Sequence, residues 1–227
     1  MLFLIASGNL YVLERTIDMK KKLYSKDETY FNKIRSEIIS LIPQKENKIL
    51  EIGCGTGATL LKLKESAKAS TVVGVDIHAF ETQLDKFIVG DIEQIDLPYE
   101  KGFFDVIICA DVLEHLIDPW GTVKKVTGYL KSGGVFIASI PNVRELKTML
   151  RIFLCGDFKY NEAGILDKTH LRFFCKKNSI DLISQAGLTV TLVTFSLCRE
   201  RHIVNKMSLG LFEEFIVDQY LIMATKR

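Results

Sequence analysis

The stretch Lys48-Ile49-Leu50-Glu51-Ile52-Gly53-Cys54-Gly55-Thr56-Gly57 decides how this chain is read. An apolar strand runs into three glycines at alternate positions, and an amphipathic run, Ala58 to Ala67, follows directly. Glycine permits a tight turn at positive φ and lets backbone N–H groups approach a ligand where a Cβ would stand in the way. A strand, a glycine loop and a helix in that order therefore offer a nucleotide site. The single-residue spacers differ from Gly-x-Gly-x-x-Gly, the spacing that sets a pyrophosphate on a helix start. Glu51, just ahead of the loop, would repel a diphosphate and suits a ligand carrying an ammonium or sulfonium.

Apolar runs on either side of this stretch extend the pattern. Thr71–Asp76, Phe87–Asp91, Phe103–Ala110 and Gly134–Ile140 read as further strands, each nearly continuously apolar. Strands of that kind separated by helices predict a parallel sheet covered on both faces. Helices are expected over 30–42, over 58–67, from Asp118-Pro119 to a close at Lys131-Ser132-Gly133-Gly134, over 143–153 and over 176–186. Strand-like runs at 188–197 and 215–225, joined by a polar stretch with a short apolar helix pattern at 207–212, could pair as an antiparallel edge. The fold expected is α/β and Rossmann-like, a seven-stranded, mostly parallel sheet with an antiparallel last strand and helices on both faces. One interval is irregular: only nine residues, 77–85, separate the second and third strands, fewer than a crossover helix ordinarily needs.

Composition bounds what such a fold could do. With 227 residues, the chain can bury one large core. A formal charge of +2, from 30 basic and 28 acidic side chains, gives no long-range attraction to nucleic acid or an acidic membrane. The five cysteines are an odd number, widely separated and without paired metal-ligand spacing, so they read as reduced and cytoplasmic, and no metal site is expected. Met1 to Val12 is apolar but short for a bilayer span. Residues 1–22 read as an N-terminal extension or as sequence ahead of a later start at Met19, and 23–227 as a single domain with 143–175 as a cap or lid. The N-terminal helix and the 200–215 segment could serve as a homodimer contact.

Open parallel sheets bind ligands beyond the carboxyl ends of their strands. Glu51, Asp76, Asp91 and either Asp111 or Glu114 are placed there by this reading. Asp76, 19 positions after Gly57, would accept from both hydroxyls of a ribose, and Asp91 from an exocyclic amine.

Taken together, Leu50–Gly57, Val73-Gly74-Val75-Asp76, Val89-Gly90-Asp91-Ile92, Phe103–Ile107, Asp111-Val112-Leu113-Glu114-His115-Leu116 and Leu130–Gly134 resemble the class I S-adenosylmethionine-dependent methyltransferases of the small-molecule type, the group holding ubiquinone-pathway and sugar-modifying enzymes. The resemblance implies S-adenosyl-L-methionine as cofactor, with Gly53, Cys54, Gly55 and Gly57 backing its methionine part and Asp76 taking the ribose. It places Asp91, Ile92 and Ile77 about the adenine, Asp111 and Leu113 on the sulfonium side, and Tyr24 or Tyr30 as closing residues. Asp167-Lys168-Thr169-His170-Leu171-Arg172-Phe173-Phe174 resembles a stretch found among the sugar-modifying members.

Methyl transfer from a sulfonium is an in-line displacement that gains from positioning and from excluding water, and an alcohol acceptor gains from a base within reach. His115, read as starting the helix after the fourth strand, and His170, in the aperiodic 155–172 segment, are the catalytic candidates. Local structural roles are the competing reading for both. Asn142, Arg144 and Arg172 are candidates for acceptor binding. Ser139-Ile140-Pro141-Asn142 lacks the Asn/Asp-Pro-Pro-aromatic sequence of enzymes that modify adenine or glutamine. The expected activity is methylation of a small-molecule hydroxyl on a sugar, phenol or small acid. An N-methyltransferase acting on an amino sugar or amine, and a non-catalytic cofactor-binding domain, are the alternatives.

Overall fold

The computed structural model describes residues 31–195, 205–207 and 209–227. Seven strands form one sheet: β1 (Asn47–Ile52), β2 (Ala69–Asp76), β3 (Lys86–Val89), β4 (Phe104–Ala110), β5 (Leu130–Pro141), β6 (Leu188–Thr194) and β7 (Gln219–Lys226). The order across the sheet is β3-β2-β1-β4-β5-β7-β6, with β7 antiparallel to both of its neighbours and every other pairing parallel. Helices bounded within the described residues are α1 (Ser36–Leu41), α2 (Ala58–Glu65), α3 (Pro119–Thr127), α4 (Leu146–Cys155), α5 (Lys176–Gln185) and the single turn α6 (Glu213–Ile216).

Alternation along the central strands divides the core into two layers. Leu50 and Ile52 of β1 and Ile107 and Cys109 of β4 share one face with Val123, Val126, Leu182 and Ile183 of α3 and α5. Ile49, Val106, Ile108 and Ala110 point the other way, against Ile38, Ile42, Leu60 and Leu63 from α1, α2 and the turn after α1. Strands buried on both sides need apolar residues at every position, which is why β1, β2 and β4 show no polar alternation. The strand order reverses between β1 and β4, and the loops beyond Ile52, Asp76, Val89 and Ala110 converge on that point.

Several expected boundaries shift for identifiable reasons. The helix expected over 30–42 is interrupted: Phe31 is helical and Ser36–Leu41 form α1, but residues 32–35 between them are not, and the segment is tied to the glycine loop and the first turn of α2. Thr56 donates to the Phe31 carbonyl from both N (3.2 Å) and Oγ1 (3.0 Å), and Arg35 N donates to Thr59 Oγ1 (3.2 Å). Lys131 to Gly134 do not close a helix. α3 ends at Thr127 and the chain enters β5 at Leu130, where Gly133 (φ +73°) lies in a bulge between the Leu130 and Val135 pairings with β4.

His115 starts no helix; it ends a 3₁₀ turn, Leu113–His115, and α3 begins only at Pro119, where Asp118 accepts from Gly121 N at 3.0 Å. Residues 215–216 belong to α6, so the last strand starts at Gln219 and not at 215. The interval 77–85 is a loop without a helix, and the strands on both sides of it are present. The reading of 207–212 spans residue 208, outside the described residues, as are Tyr24 and Tyr30 and all of 1–22.

Candidate cofactor and acceptor site

The glycine loop takes the conformation its spacing requires. Gly53, Gly55 and Gly57 have φ of +69°, +54° and +81°, in the left-handed region that side chains with a Cβ resist. A Cβ on Gly55 would stand 2.7 Å from the Phe31 carbonyl oxygen. The loop is bound to the end of β2 by Gly53 N donating to Val75 O (2.8 Å) and Gly55 N donating to Asp76 Oδ2 (2.9 Å). Asp76 Oδ1 accepts from His78 N at 2.9 Å, so each oxygen holds one backbone N–H and keeps further lone pairs.

The cavity beyond the strand ends is lined by Glu51, Ile52, Gly53, Cys54 and Gly55, by Asp76, Ile77 and His78, by Gly90, Asp91 and Ile92, and by Ala110, Asp111 and Val112. Phe31, Lys33, Arg35 and Thr59 border one side, and His115, Leu116 and Thr169 another. Among the described residues, four acidic side chains thus line it together with the cations Lys33 and Arg35. Glu51 is buried with Oε2 lacking a hydrogen-bond partner. Burial pushes its pKa up to about 8, the Arg35 guanidinium pulls it down, and Asp76 raises it again. A buried carboxyl of that kind is neutral until a cation reaches it.

The far end of the cavity is built on Asp111, a non-glycine residue at φ +54°. Three side chains from different elements hold it there: Ser139 Oγ donates to Oδ1 at 2.6 Å, Gln219 Nε2 of β7 donates to the same oxygen, and Arg35 Nη2 pairs with Oδ2 at 2.5 Å. Beyond it the 3₁₀ turn carries Glu114 and His115. The Glu114 carbonyl accepts from Leu171 N (2.8 Å) and Arg172 N (2.9 Å), which joins the Asp167–Phe174 stretch to this turn. His115 Nδ1 lies 3.1 Å from the Thr169 carbonyl, so in the neutral ring Nδ1 carries the proton and Nε2 is the acceptor, while His170 Nδ1 donates to the Ile165 carbonyl at 2.9 Å. Burial, reinforced by His170, pulls the His115 pKa down to about 4, leaving a neutral imidazole at physiological pH.

The structure brings together most of the residues singled out by sequence. Glu51, Gly53, Cys54, Gly55, Asp76, Ile77, Asp91, Ile92, Asp111 and His115 all line the cavity. Gly57 is instead the cap of α2, Leu113 is buried in the core, and His170 stands behind His115 with ring centroids 4.7 Å apart. Asn142 and the two arginines lie outside the lining. Asn142 Nδ2 donates to the carbonyls of Glu214 and Val217 (both 2.8 Å), Arg144 pairs with Glu214, and Arg172 donates to the Ile117 carbonyl beside the Trp120 ring. Sequence reasoning missed Arg35, His78, Thr59 and Thr169. Of these, Thr169 sat inside a stretch already singled out, whereas Arg35 in an amphipathic run carries no signal of its own.

A family model described as a methyltransferase domain matches residues 27–193, well over half of the chain. The chain belongs to that methyltransferase-domain family. It is an S-adenosylmethionine-dependent methyltransferase. The chain is 25% identical over 186 residues to the ubiquinone biosynthesis O-methyltransferase of Azoarcus sp. (strain BH72), covering 72% of this chain and 78% of that protein. Among solved structures, a SAM-dependent methyltransferase from Archaeoglobus fulgidus superposes with a TM-score of 0.61 at 17% identity, covering 92% of this chain and 98% of that one. A possible histamine N-methyltransferase from Thermotoga maritima gives 0.55 at 19% identity, covering 84% and 86%. These two likenesses show the fold.

For this methyltransferase the glycine loop yields a direct test. Gly55→Ala forces a Cβ against the Phe31 carbonyl and strains a left-handed residue by about 1–2 kcal/mol. S-adenosylmethionine binding measured by calorimetry is expected to weaken at least 10-fold. Unchanged affinity would show that the loop does not need this conformation.

Proposed function

We propose that this methyltransferase acts on a hydroxyl group of a small-molecule acceptor, with the nucleoside of the cofactor held between Asp76 and Asp91 and its methionine part against Gly53–Gly55 and Glu51. Bound there, S-adenosylmethionine supplies a methyl group activated by a positive sulfonium. The residues fit such a ligand. The Glu51 Oε2 without a partner suits its ammonium, and Gly55 packs so closely on the Phe31 backbone that only glycine fits at this turn of the loop. Asp76 retains lone pairs for two ribose hydroxyls, and Asp111 holds negative charge where the sulfonium side is expected.

The observation that carries the hydroxyl reading is His115. It lines the cavity next to Asp111, on the side away from the Asp76–Asp91 end, as a neutral ring oriented by the Thr169 carbonyl so that Nε2 serves as the acceptor atom. An acceptor O–H can be aligned there, while Val112 and Leu116 keep the surroundings apolar and limit water. The test is a methylation screen of matched alcohols, phenols and amines with S-adenosylhomocysteine formation as readout. Turnover is expected with an oxygen acceptor, and His115→Ala is expected to lower kcat on it by roughly 100-fold with S-adenosylmethionine affinity unchanged. Turnover confined to amines would overturn the reading.

A further inference from the structure

The carboxylate of Asp111 is occupied from inside the protein. Oδ1 accepts from Ser139 Oγ (2.6 Å) and from Gln219 Nε2, which fills its two lone-pair directions, and Oδ2 faces Arg35 Nη2 at 2.5 Å. Ser139 has a single hydroxyl proton, and it goes to Asp111. The Gln219 nitrogen, 3.0 Å from Ser139 Oγ, is therefore the donor in that contact as well, so both of its N–H bonds are committed to this one cluster. Asp111 N, 3.2 Å from Ser139 Oγ, closes the set. Register explains the reach. Gln219 pairs with Pro141 and Leu221 with Ser139, which puts Gln219 and Ser139 on the same face of the β5–β7 pair.

The cluster holds a residue with a Cβ at φ +54°, and it also sets how much of the Asp111 charge reaches the cavity. Methyl transfer begins with a full positive charge on sulfur and ends with none. A carboxylate beside that sulfur attracts the starting state more than the transition state, and only interactions that strengthen in the transition state raise the rate. Donors on the carboxylate weaken this attraction, and a guanidinium does so most.

We propose that Gln219 is a positioning residue for methyl transfer that acts through Asp111. With Ser139 and Arg35, it fixes the carboxylate at the cavity wall and damps its pull on the sulfonium. This role rests on the cofactor placement proposed above and is independent of the choice of acceptor. Ser139 is 1% exposed, and the side chains of Asp111 and Arg35 are 18% and 12% exposed, so the three donors screen the charge more than solvent does. Nothing in the sequence announces Gln219, which lies 108 positions beyond Asp111 at the start of a strand.

The test is calorimetric titration of wild type, Gln219→Met and Ser139→Ala with S-adenosylmethionine and, separately, with S-adenosylhomocysteine, which lacks the methyl group and the positive charge. Gln219→Met keeps the length of the side chain and removes the donor. The ratio of the two affinities is expected to shift about 5-fold towards S-adenosylmethionine, the effect of one hydrogen bond withdrawn from a charged group. Ser139→Ala, which takes a second donor from the same oxygen, is expected to shift it in the same direction. With any acceptor that turns over, kcat should fall by a similar factor, since the starting state alone is held more tightly. A brace without a charge effect would weaken both ligands equally. An unmoved ratio, or one shifted towards S-adenosylhomocysteine, therefore overturns the role of Gln219 while the cofactor placement stands. Wild-type protein that binds neither ligand overturns both. A shifted ratio with turnover confined to amines upholds the role and overturns only the hydroxyl reading.

Discussion

Asp76→Ala is expected to lower the affinity for S-adenosylmethionine by about 100-fold. The carboxylate stands at the end of β2 with one backbone N–H on each oxygen, from Gly55 and His78, and its remaining lone pairs face the cavity. A hydrogen bond to a charged acceptor contributes about 1.5–3 kcal/mol, so losing the ribose contacts accounts for a factor of that order. The substitution also releases Gly55 N, the tie between the glycine loop and β2. Asp76→Asn separates the two effects, because one oxygen remains to accept. It should cost roughly 10-fold, the range of a weakened but retained contact. Calorimetry with S-adenosylmethionine and S-adenosylhomocysteine reads both variants, and an unchanged affinity in Asp76→Ala would remove Asp76 from the cofactor site.

Glu51 gives the second large effect, on stability as a function of pH. An unfolded chain loses this proton near pH 4.5, whereas the buried carboxyl keeps it to about pH 8. Between those values the folded state binds the extra proton, so raising the pH lowers stability, and the effect levels off above pH 8. At about 1.4 kcal/mol per pH unit the span is at most about 5 kcal/mol. Urea unfolding of ligand-free protein at pH 5.5 and 8.5 should therefore show a larger loss for wild type than for Glu51→Gln, which cannot ionise. Equal losses would refute the assignment. Cofactor binding reverses the balance. A ligand ammonium at Glu51 favours the carboxylate, so at pH 7 binding should release close to one proton, visible as a dependence of the binding enthalpy on the buffer. Glu51→Gln should abolish that release.

Much of this architecture was legible because it is written locally. Continuous apolar runs such as Val72–Val75 and Val106–Ala110 can only be strands of a sheet covered on both sides, and three alternate glycines after one of them mark the loop at its end. What stayed hidden depends on long-range contact. Arg35 enters the cavity because Phe31 and Thr56 bind, which cuts short a helix that the periodicity of 30–42 favours. His115 read as a helix start because Asp118 and Pro119, the actual cap and first turn, lie only a few residues on. Asn142 was expected to meet the acceptor because it ends β5, yet its amide is consumed by the carbonyls preceding β7. Nothing within reach of Asn142 along the chain announces partners more than 70 residues away.

The antiparallel β7 also bears on how the protein is made. It follows the other six strands in sequence and sits between β5 and β6, so the sheet closes only after β7 itself has been synthesised. Until then β5 and β6 both present unpaired edges, which are templates for wrong partners. β7 also delivers Gln219 to Asp111, so that carboxylate gains one of its three restraints only once β7 is in place. A nascent chain can therefore assemble the Asp76–Asp91 end of the cavity early, while the Asp111 end waits for the sheet to be sealed.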